Sequence, residues 1–173
     1  MVTARPLVHF NVLTRISPSI GKTVELHALY YGENWNFGHL FETKVASEMS
    51  DFINNYNPKK DCIWSVSVNG KIEGSLSIDG SSEKENIAHF RWFILSDALK
   101  GQGVGNFLME QAVSFCEKTA YDMVYLWTFK GLKSARHLYE KHGFEIKKET
   151  DGMQWGTKVT EQYFELQLKN KQT

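Results

Sequence analysis

Cysteine is scarce in this sequence of 173 residues: Cys62 and Cys116 are the two it has. Each falls inside a predicted element, which favours two buried free thiols over a disulfide. Neither sign of charge is in excess. Twenty lysines and arginines balance twenty aspartates and glutamates. Nucleic acid or an anionic membrane would favour a basic surplus, so neither is expected as the main partner. No apolar stretch approaches the roughly 20 residues of a membrane span, and the N-terminus lacks a signal-peptide pattern. A reducing, cytoplasmic setting is the default expectation. No internal repeat, linker or low-complexity segment is visible. His9, His39, His137 and His142 lack metal-ligand spacing, so no metal is expected.

What is present suffices for a core. The hydrophobic fraction is 42% and the charged fraction 23%, ordinary values for a soluble globular protein. The length suits one domain over residues 1–173.

Val8 to Arg15 alternate and predict a first strand. Ser17 or Ser19 then offers an N-cap for a short helix. Phe41, Val45, Met49 and Phe52 share one face of a second helix. Trp64, Val66 and Val68 alternate with Ser65 and Ser67. Asn69-Gly70 supplies a type I′ turn, and Ile72, Leu76 and Ile78 alternate with Ser75 and Ser77 beyond it. This pattern predicts a β-hairpin with one buried face. "IAHFRWFIL" and "MVYLWTF" predict buried strands, and "LKSARHLYEKH" a helix stopped by Gly143. "FEIKKE" and "TEQYFELQL" close the chain as an antiparallel pair. The order β-α-α-β-β-β-α-β-α-β-β implies an α/β (α+β) domain. Its sheet is mixed, with helices on both faces and one right-handed strand–helix–strand crossover.

Between "IAHFRWFIL" and its following helix stands "LKGQGVGNF", with Gly101, Gly103 and Gly105 where a helix must start. Glycine is unfavourable inside a helix by roughly 1 kcal/mol. Just ahead of one, it lets backbone approach a phosphate closely, and the helix N-terminus presents free N–H groups and a positive dipole end. The stretch therefore reads as a pyrophosphate cradle, with the charge of Lys100 beside it. Two familiar phosphate loops are excluded. Gly105 is followed by Asn106 and Phe107 rather than Lys-Ser/Thr. No glycine stands at 106 or 108 to complete a dinucleotide fingerprint.

Lys100, Gly103 and Gly105 match the acyl-CoA-binding signature Arg/Gln-x-x-Gly-x-Gly/Ala, with lysine in the first place. Ala135, Leu138, Tyr139, Gly143 and Phe144 match a second motif, A-x-x-L-Y-x-x-x-G-F. With these two motifs in order, the sequence resembles the GNAT family of N-acetyltransferases from about Leu13 to Leu168. A narrower resemblance is to the acetyltransferase half of proteins that fuse it to a MarR-type winged-helix regulator, without that regulator. It is carried by "YYGENWNF", "HFRWFIL", "YLWTFKGLKSARHLYEKHGF" and "QWGTKVTEQYFEL".

The resemblance implies the GNAT fold: a mostly antiparallel sheet of six to seven strands whose central parallel pair splays apart around acetyl-CoA. It implies pantetheine bonded to the backbone at Phe93, Ile94 and Leu95. The pyrophosphate would sit on the amides of Gln102, Gly103, Val104, Gly105 and Asn106, with Gly101 and Lys100 in the same loop. Tyr139 takes the place of the acid that protonates the leaving thiolate, where the bland reading is a core aromatic. The asparagine many members carry before the last helix is absent; Lys130-Gly131-Leu132 stands there.

The general base is left open among Glu33, Glu161, His27 and a water chain, since an ammonium near pKa 10 must first lose a proton. Trp35, Trp127 and Arg91 are candidate acceptor-site residues, amid further aromatics Tyr30, Tyr31, Trp92 and Trp155. Arg91, alternating with His89 and Phe93, needs a partner. Either a local carboxylate such as Glu73 or Glu161 supplies it, or a substrate carboxylate does. Lys130, Lys133 and Arg136 form a solvated helix face or help hold the CoA 3′-phosphate. The expected function is acetyl transfer from acetyl-CoA to a primary amine of a small molecule. The rivals are an acyl-CoA-binding sensor with little turnover and a protein lysine or N-terminal acetyltransferase. A homodimer is compatible with any of them.

Overall fold

The computed structural model describes residues 8–12, 19–81 and 86–168. The elements follow the order expected from the sequence. Strand β1 (Val8–Val12) precedes helices α1 (Ser19–Trp35) and α2 (His39–Asn54). The hairpin β2 (Cys62–Val68) and β3 (Lys71–Asp79) leads to β4 (Ile87–Leu95). A 3-10 turn (Asp97–Leu99), α3 (Val104–Lys118), β5 (Met123–Phe129) and α4 (Lys133–Lys141) come next. The chain closes with β6 (Glu145–Gly152) and β7 (Val159–Gln167). Residues 13–15 of the first predicted strand lie outside the described residues, as does Ser17. Ser19, the other N-cap candidate, is the first residue of α1 and is buried. That helix runs longer than expected, for 17 residues, and so takes in Glu33 and Trp35.

Among the described residues the sheet has seven strands, in the order β1-β2-β3-β4-β5-β7-β6. Every neighbouring pair is antiparallel except β4 and β5. That parallel pair stays together only over Ile87–His89 and Met123–Tyr125. Beyond His89 and Tyr125 the two strands separate, each held by its outer neighbour, β3 or β7. The expected splay is therefore present, and it opens a wedge toward the C-terminal ends of both strands.

Helices cover both faces. Leu108, Met109, Ala112 and Cys116 of α3 and Tyr139 of α4 pack with Val66, Leu76, Phe90 and Phe164 of the sheet. On the other face Phe41, Val45, Met49 and Phe52 of α2, the four residues of the predicted stripe, pack with Ile63, Trp92 and Phe129. Both cysteines are free and buried, as expected.

The hairpin turn is as predicted, with positive φ at Asn69 (50°) and Gly70 (79°). Its single buried face is not. Ser65, Ser75 and Ser77 are buried, because α1 packs across β3 and β4 on that side. Small hydroxyl side chains let a helix approach closely. A period-2 pattern cannot tell such a face from one turned to water.

Candidate active site

The glycine loop forms a left-handed entry into α3. Gly101 (φ 70°) and Gly103 (φ 75°) both have positive φ, and Gly103 is the N-cap. The first helical bond runs from the Phe107 amide to the Gly103 carbonyl, 3.0 Å. The amides of Val104, Gly105 and Asn106 thus have no intrahelical acceptor, and the dipole end there is positive. A Cβ on Gly103 would meet nothing within 4 Å, so the space before these amides is open. Gly105 differs: a Cβ there would come within 3.3 Å of Leu138 Cδ2 and Leu95 Cδ1, where α3 packs on α4 and β4. Asn106 Oδ1 accepts from Lys141 Nζ (2.6 Å) and His142 Nε2 (3.1 Å), tying the end of α4 to the start of α3. Lys100 is exposed and paired with Asp97 at 2.6 Å.

Strand β4 carries a bulge that the sequence did not announce. Ser75 pairs with Ile94 and Ser77 with Arg91, so Trp92 and Phe93 together oppose Leu76. Trp92 has φ 50°, a conformation unfavourable for such a side chain by roughly 1–2 kcal/mol. The bulge overturns the expected alternation of His89, Arg91 and Phe93. Phe93 turns toward Phe90 (5.7 Å between ring centroids) and Tyr139 (6.5 Å), while Trp92 turns to Phe52 (5.3 Å) on the opposite face. Past His89, the edge of β4 that faces the wedge has no strand partner. The backbone of Phe93, Ile94 and Leu95 is thereby available to a ligand on that side.

A cavity of about 170 Å³ fills the wedge. Phe93, Leu126 and Tyr139 line one side. Tyr31, Phe41, Trp92, Phe129 and Trp155 form an aromatic wall. Lys44, Glu48 and Arg91 stand along another side, with His27, Trp127, Thr128 and Gln154 completing the lining. Tyr139 is only 7% exposed and sits among Phe90, Phe144 and Phe164. Burial pushes its phenol well above the ordinary value, so it keeps its proton across the working range. His27 of α1 is buried, with Nδ1 2.8 Å from the Thr23 carbonyl. A carbonyl only accepts, so Nδ1 donates and Nε2 carries the lone pair. Burial lowers this imidazole to about 4, against the smaller opposing effect of that bond.

Arg91 has local carboxylate partners, but not Glu73 or Glu161. Its Nη1 donates to Asp79 Oδ2 at 3.0 Å and its Nη2 pairs with Glu48, which also binds Lys44. Its guanidinium lies 4.1 Å from the centroid of the Trp92 ring. Sequence spacing could not select these partners: the pairing of β3 with β4 brings Asp79 beside Arg91, and the packing of α2 on the sheet brings Glu48.

The remaining candidates are dispersed. Trp127 lines the cavity and packs on Tyr163 (5.0 Å). Trp35 does not line it; it packs edge-on against Phe129 at 4.8 Å and covers Gly131 (φ 121°), leaving no room there for a Cβ. Glu33 is exposed on α1, away from the cavity lining. Glu161 is buried, and its carboxylate is occupied by Gln154. Lys130 pairs with Glu149 and Arg136 with Glu140, so two members of the basic cluster are engaged locally.

The family model described as acetyltransferase (GNAT) family matches residues 22–144. A curated relative, an uncharacterised N-acetyltransferase of Methanocaldococcus jannaschii, is 28% identical over 97 residues. That match covers 54% of this chain and 43% of the relative, less than half of the relative's length. An acetyltransferase of the GNAT family from Staphylococcus aureus Mu50 superposes with a TM-score of 0.74 at 17% identity, covering 93% of this chain and 100% of that one. The Salmonella typhimurium protein yncA, solved with its cofactor acetyl-CoA, superposes with a TM-score of 0.68 at 12% identity, covering 95% of this chain and 96% of that one. The family model thus spans most of the sequence and the fold recurs across these structures: the chain belongs to the acetyltransferase (GNAT) family.

Proposed function

We propose that this chain transfers the acetyl group of acetyl-CoA to a primary amine of a small molecule, by direct attack of the amine on the thioester. The observation that carries this reading is the placement of three features along one wedge. They are the open amides at the start of α3, the unpaired edge of β4 from Phe93 to Leu95, and the buried Tyr139 at the cavity.

The residues suit acetyl-CoA. An exposed Gly103 with no neighbour where a side chain would stand, ahead of a positive helix end, is suited to a pyrophosphate. The amides of Gln102 to Asn106 would hold it, with Gly101 shaping the turn and Lys100 adding charge nearby. Phe93, Ile94 and Leu95 would bond the pantetheine arm through their backbone. The co-substrate supplies an activated acetyl thioester. Burial keeps Tyr139 protonated near neutral pH, so its hydroxyl has a proton to share with a leaving thiolate at the cavity. His27 lines the same cavity and rests neutral, but an imidazole lowered to about 4 is too weak to strip an ammonium, so we assign the amine's proton to a water chain that passes the cavity lining. Glu33 is too far into solvent for that role.

The acceptor's character follows from the walls. Arg91 and Lys44 are matched by Glu48 and Asp79, so the charged side of the cavity is self-compensated and demands no carboxylate on the substrate. The aromatic wall and Trp127 favour an amine with an apolar or aromatic body. The narrower resemblance to the catalytic half of MarR-type fusion proteins fits this reading without adding a regulatory role.

A thiol-release assay with acetyl-CoA against arylalkylamines, polyamines, amino acids and lysine peptides tests the proposal. Turnover on small apolar amines well above hydrolysis is expected. Turnover confined to peptides would favour a protein acceptor. Tight acetyl-CoA binding without turnover on any amine would favour a sensor, the reading that the missing asparagine at Lys130-Gly131-Leu132 supports.

A further inference from the structure

Glu161, a candidate base by its sequence position, has both carboxylate oxygens engaged in the structure. Its Oε1 accepts the Gln154 backbone amide at 2.9 Å, and its Oε2 accepts Gln154 Nε2 at 2.9 Å. Both carboxylate oxygens are thus engaged by one residue, and Glu161 is only 8% exposed. The fit is tight. Glu161 lies across from Phe129 on one side and Thr150 on the other, and a Cβ on Gly152 would overlap its carboxylate. The residue at 152 must therefore be glycine for the carboxylate to lie where it does.

The turn it grips joins β6 to β7 and crosses to α2. Trp155, next after Gln154, packs on Phe129 at 5.6 Å. Gly156 (φ 81°) lies against Leu40 at the start of α2. Gln154 and Trp155 both line the cavity, where Trp155 completes the aromatic wall with Tyr31, Phe41 and Phe129. The turn therefore spans the gap between β7 and α2 as a strap, and Glu161 is its anchor. Because the carboxylate holds backbone as well as side chain, it fixes the path of the strap and not only one rotamer.

We propose that Glu161 is a positioning residue that holds the Gln154–Trp155 strap as one wall of the acceptor pocket, so that it sets which amines fit and takes no part in proton transfer. This rests on the acetyl-transfer reading for its kinetic consequence, but the positioning itself is measurable without turnover. Hydrogen bonds to a charged acceptor are roughly twice as strong as neutral ones, so their loss should be visible in both.

The experiment uses the full chain with 5-fluorotryptophan, the Trp155 ¹⁹F resonance being assigned by Trp155→Phe. Glu161→Gln, which keeps the shape and one acceptor, and Gly152→Ala, which displaces the carboxylate without removing it, are compared with the parent. Both should shift or broaden the Trp155 resonance while the Trp64 resonance stays put. With an accepted amine, both should raise the acceptor KM about tenfold, leave acetyl-CoA Kd within about twofold, and leave the pH profile of kcat unchanged. An unmoved Trp155 resonance in both variants overturns the proposal. So does a kcat loss in Glu161→Gln that is recovered at high pH, the mark of a missing base. If the parent turns over no amine at all, the acetyl-transfer reading fails, and the Trp155 resonance still decides whether Glu161 holds the strap.

Discussion

Arg91 and Asp79 face each other across β4 and β3, with guanidinium Nη1 3.0 Å from carboxylate Oδ2. Burial alone would raise the Asp79 carboxyl, but hydrogen bonds from Ser81 and Arg91 outweigh it and hold the group below its usual value. The same guanidinium lies over Trp92, the residue with positive φ at the bulge. Arg91 thereby links the bulged stretch of β4 to β3 and to α2.

Arg91→Gln should act on structure. Removing one partner leaves Asp79 buried and only weakly compensated, which destabilises by roughly 2 kcal/mol, discounted from a fully buried pair because Glu48 is partly solvated. For a domain of this size that is a fall in Tm of about 5 °C. KM should rise alike for a carboxylate-bearing amine and for its amide analogue. A rise confined to the carboxylate substrate, at unchanged Tm, would show that Arg91 binds substrate after all.

Gly103→Val tests the cradle. A Cβ has open space there, so the fold bears only the left-handed backbone cost of about 1–2 kcal/mol. The branched side chain instead enters the space before the α3 amides, and acetyl-CoA affinity by calorimetry should fall more than tenfold. Gly103→Ala carries the same backbone cost with less bulk and should bind better than the valine variant. Gly105→Ala, whose Cβ would press on Leu138 and Leu95 at 3.3 Å, should show the reverse balance: a small loss of Tm with binding largely kept. Equal acetyl-CoA affinity in parent and Gly103→Val would remove the pyrophosphate from this loop.

The contrast between these positions shows what the sequence could and could not carry. Local devices were legible because one short stretch contains all their physics. The Asn69-Gly70 turn, the α2 stripe from Phe41 to Phe52 and the glycine entry to α3 are of this kind. The strand–helix–strand crossover likewise made the parallel pairing of β4 and β5 legible, while their splay followed only from the resemblance to the GNAT family. What failed depended on a third layer. Ser75 and Ser77 are buried only because α1 lies over them, and Arg91 finds Glu48 only because α2 docks on the sheet. The Trp92 bulge left no mark in "IAHFRWFIL", since two apolar residues side by side also read as a strand buried on both faces.

Acid stability should report on His27. Its imidazole is lowered by burial from 6.5 to about 4. Between those values the unfolded chain takes up a proton that the native chain refuses, so native stability falls as pH drops through that window. The linkage amounts to about 3 kcal/mol at most. In urea titrations at pH 7, 5.5 and 4.5, the parent should lose stability faster than His27→Gln, and the two curves should converge in slope above pH 7. Parallel losses in both proteins across the whole window would mean that His27 titrates freely in the native state.

Tyr139→Phe tests the chemistry most directly. The hydroxyl is the one group removed; the ring that packs against Phe90, Phe144 and Phe164 is retained. Little change is therefore expected in Tm or in acetyl-CoA Kd. General acid catalysis is worth about 10²–10⁴-fold, and a thiolate, which leaves readily for a base of its strength, should need the lower end of that range. The expected result is a loss of about 100-fold in kcat. Replacing the CoA thioester with one carrying a more acidic thiol should shrink the loss, because that leaving group needs less protonation. Since burial holds the phenol's proton far above neutral pH, the parent's kcat should show no acidic-group break between pH 7 and 9 that the phenylalanine variant lacks. Near-parental kcat at saturating substrate, with chemistry shown to limit the rate, would reduce Tyr139 to a core aromatic. A loss seen only in KM would make it a binding contact instead.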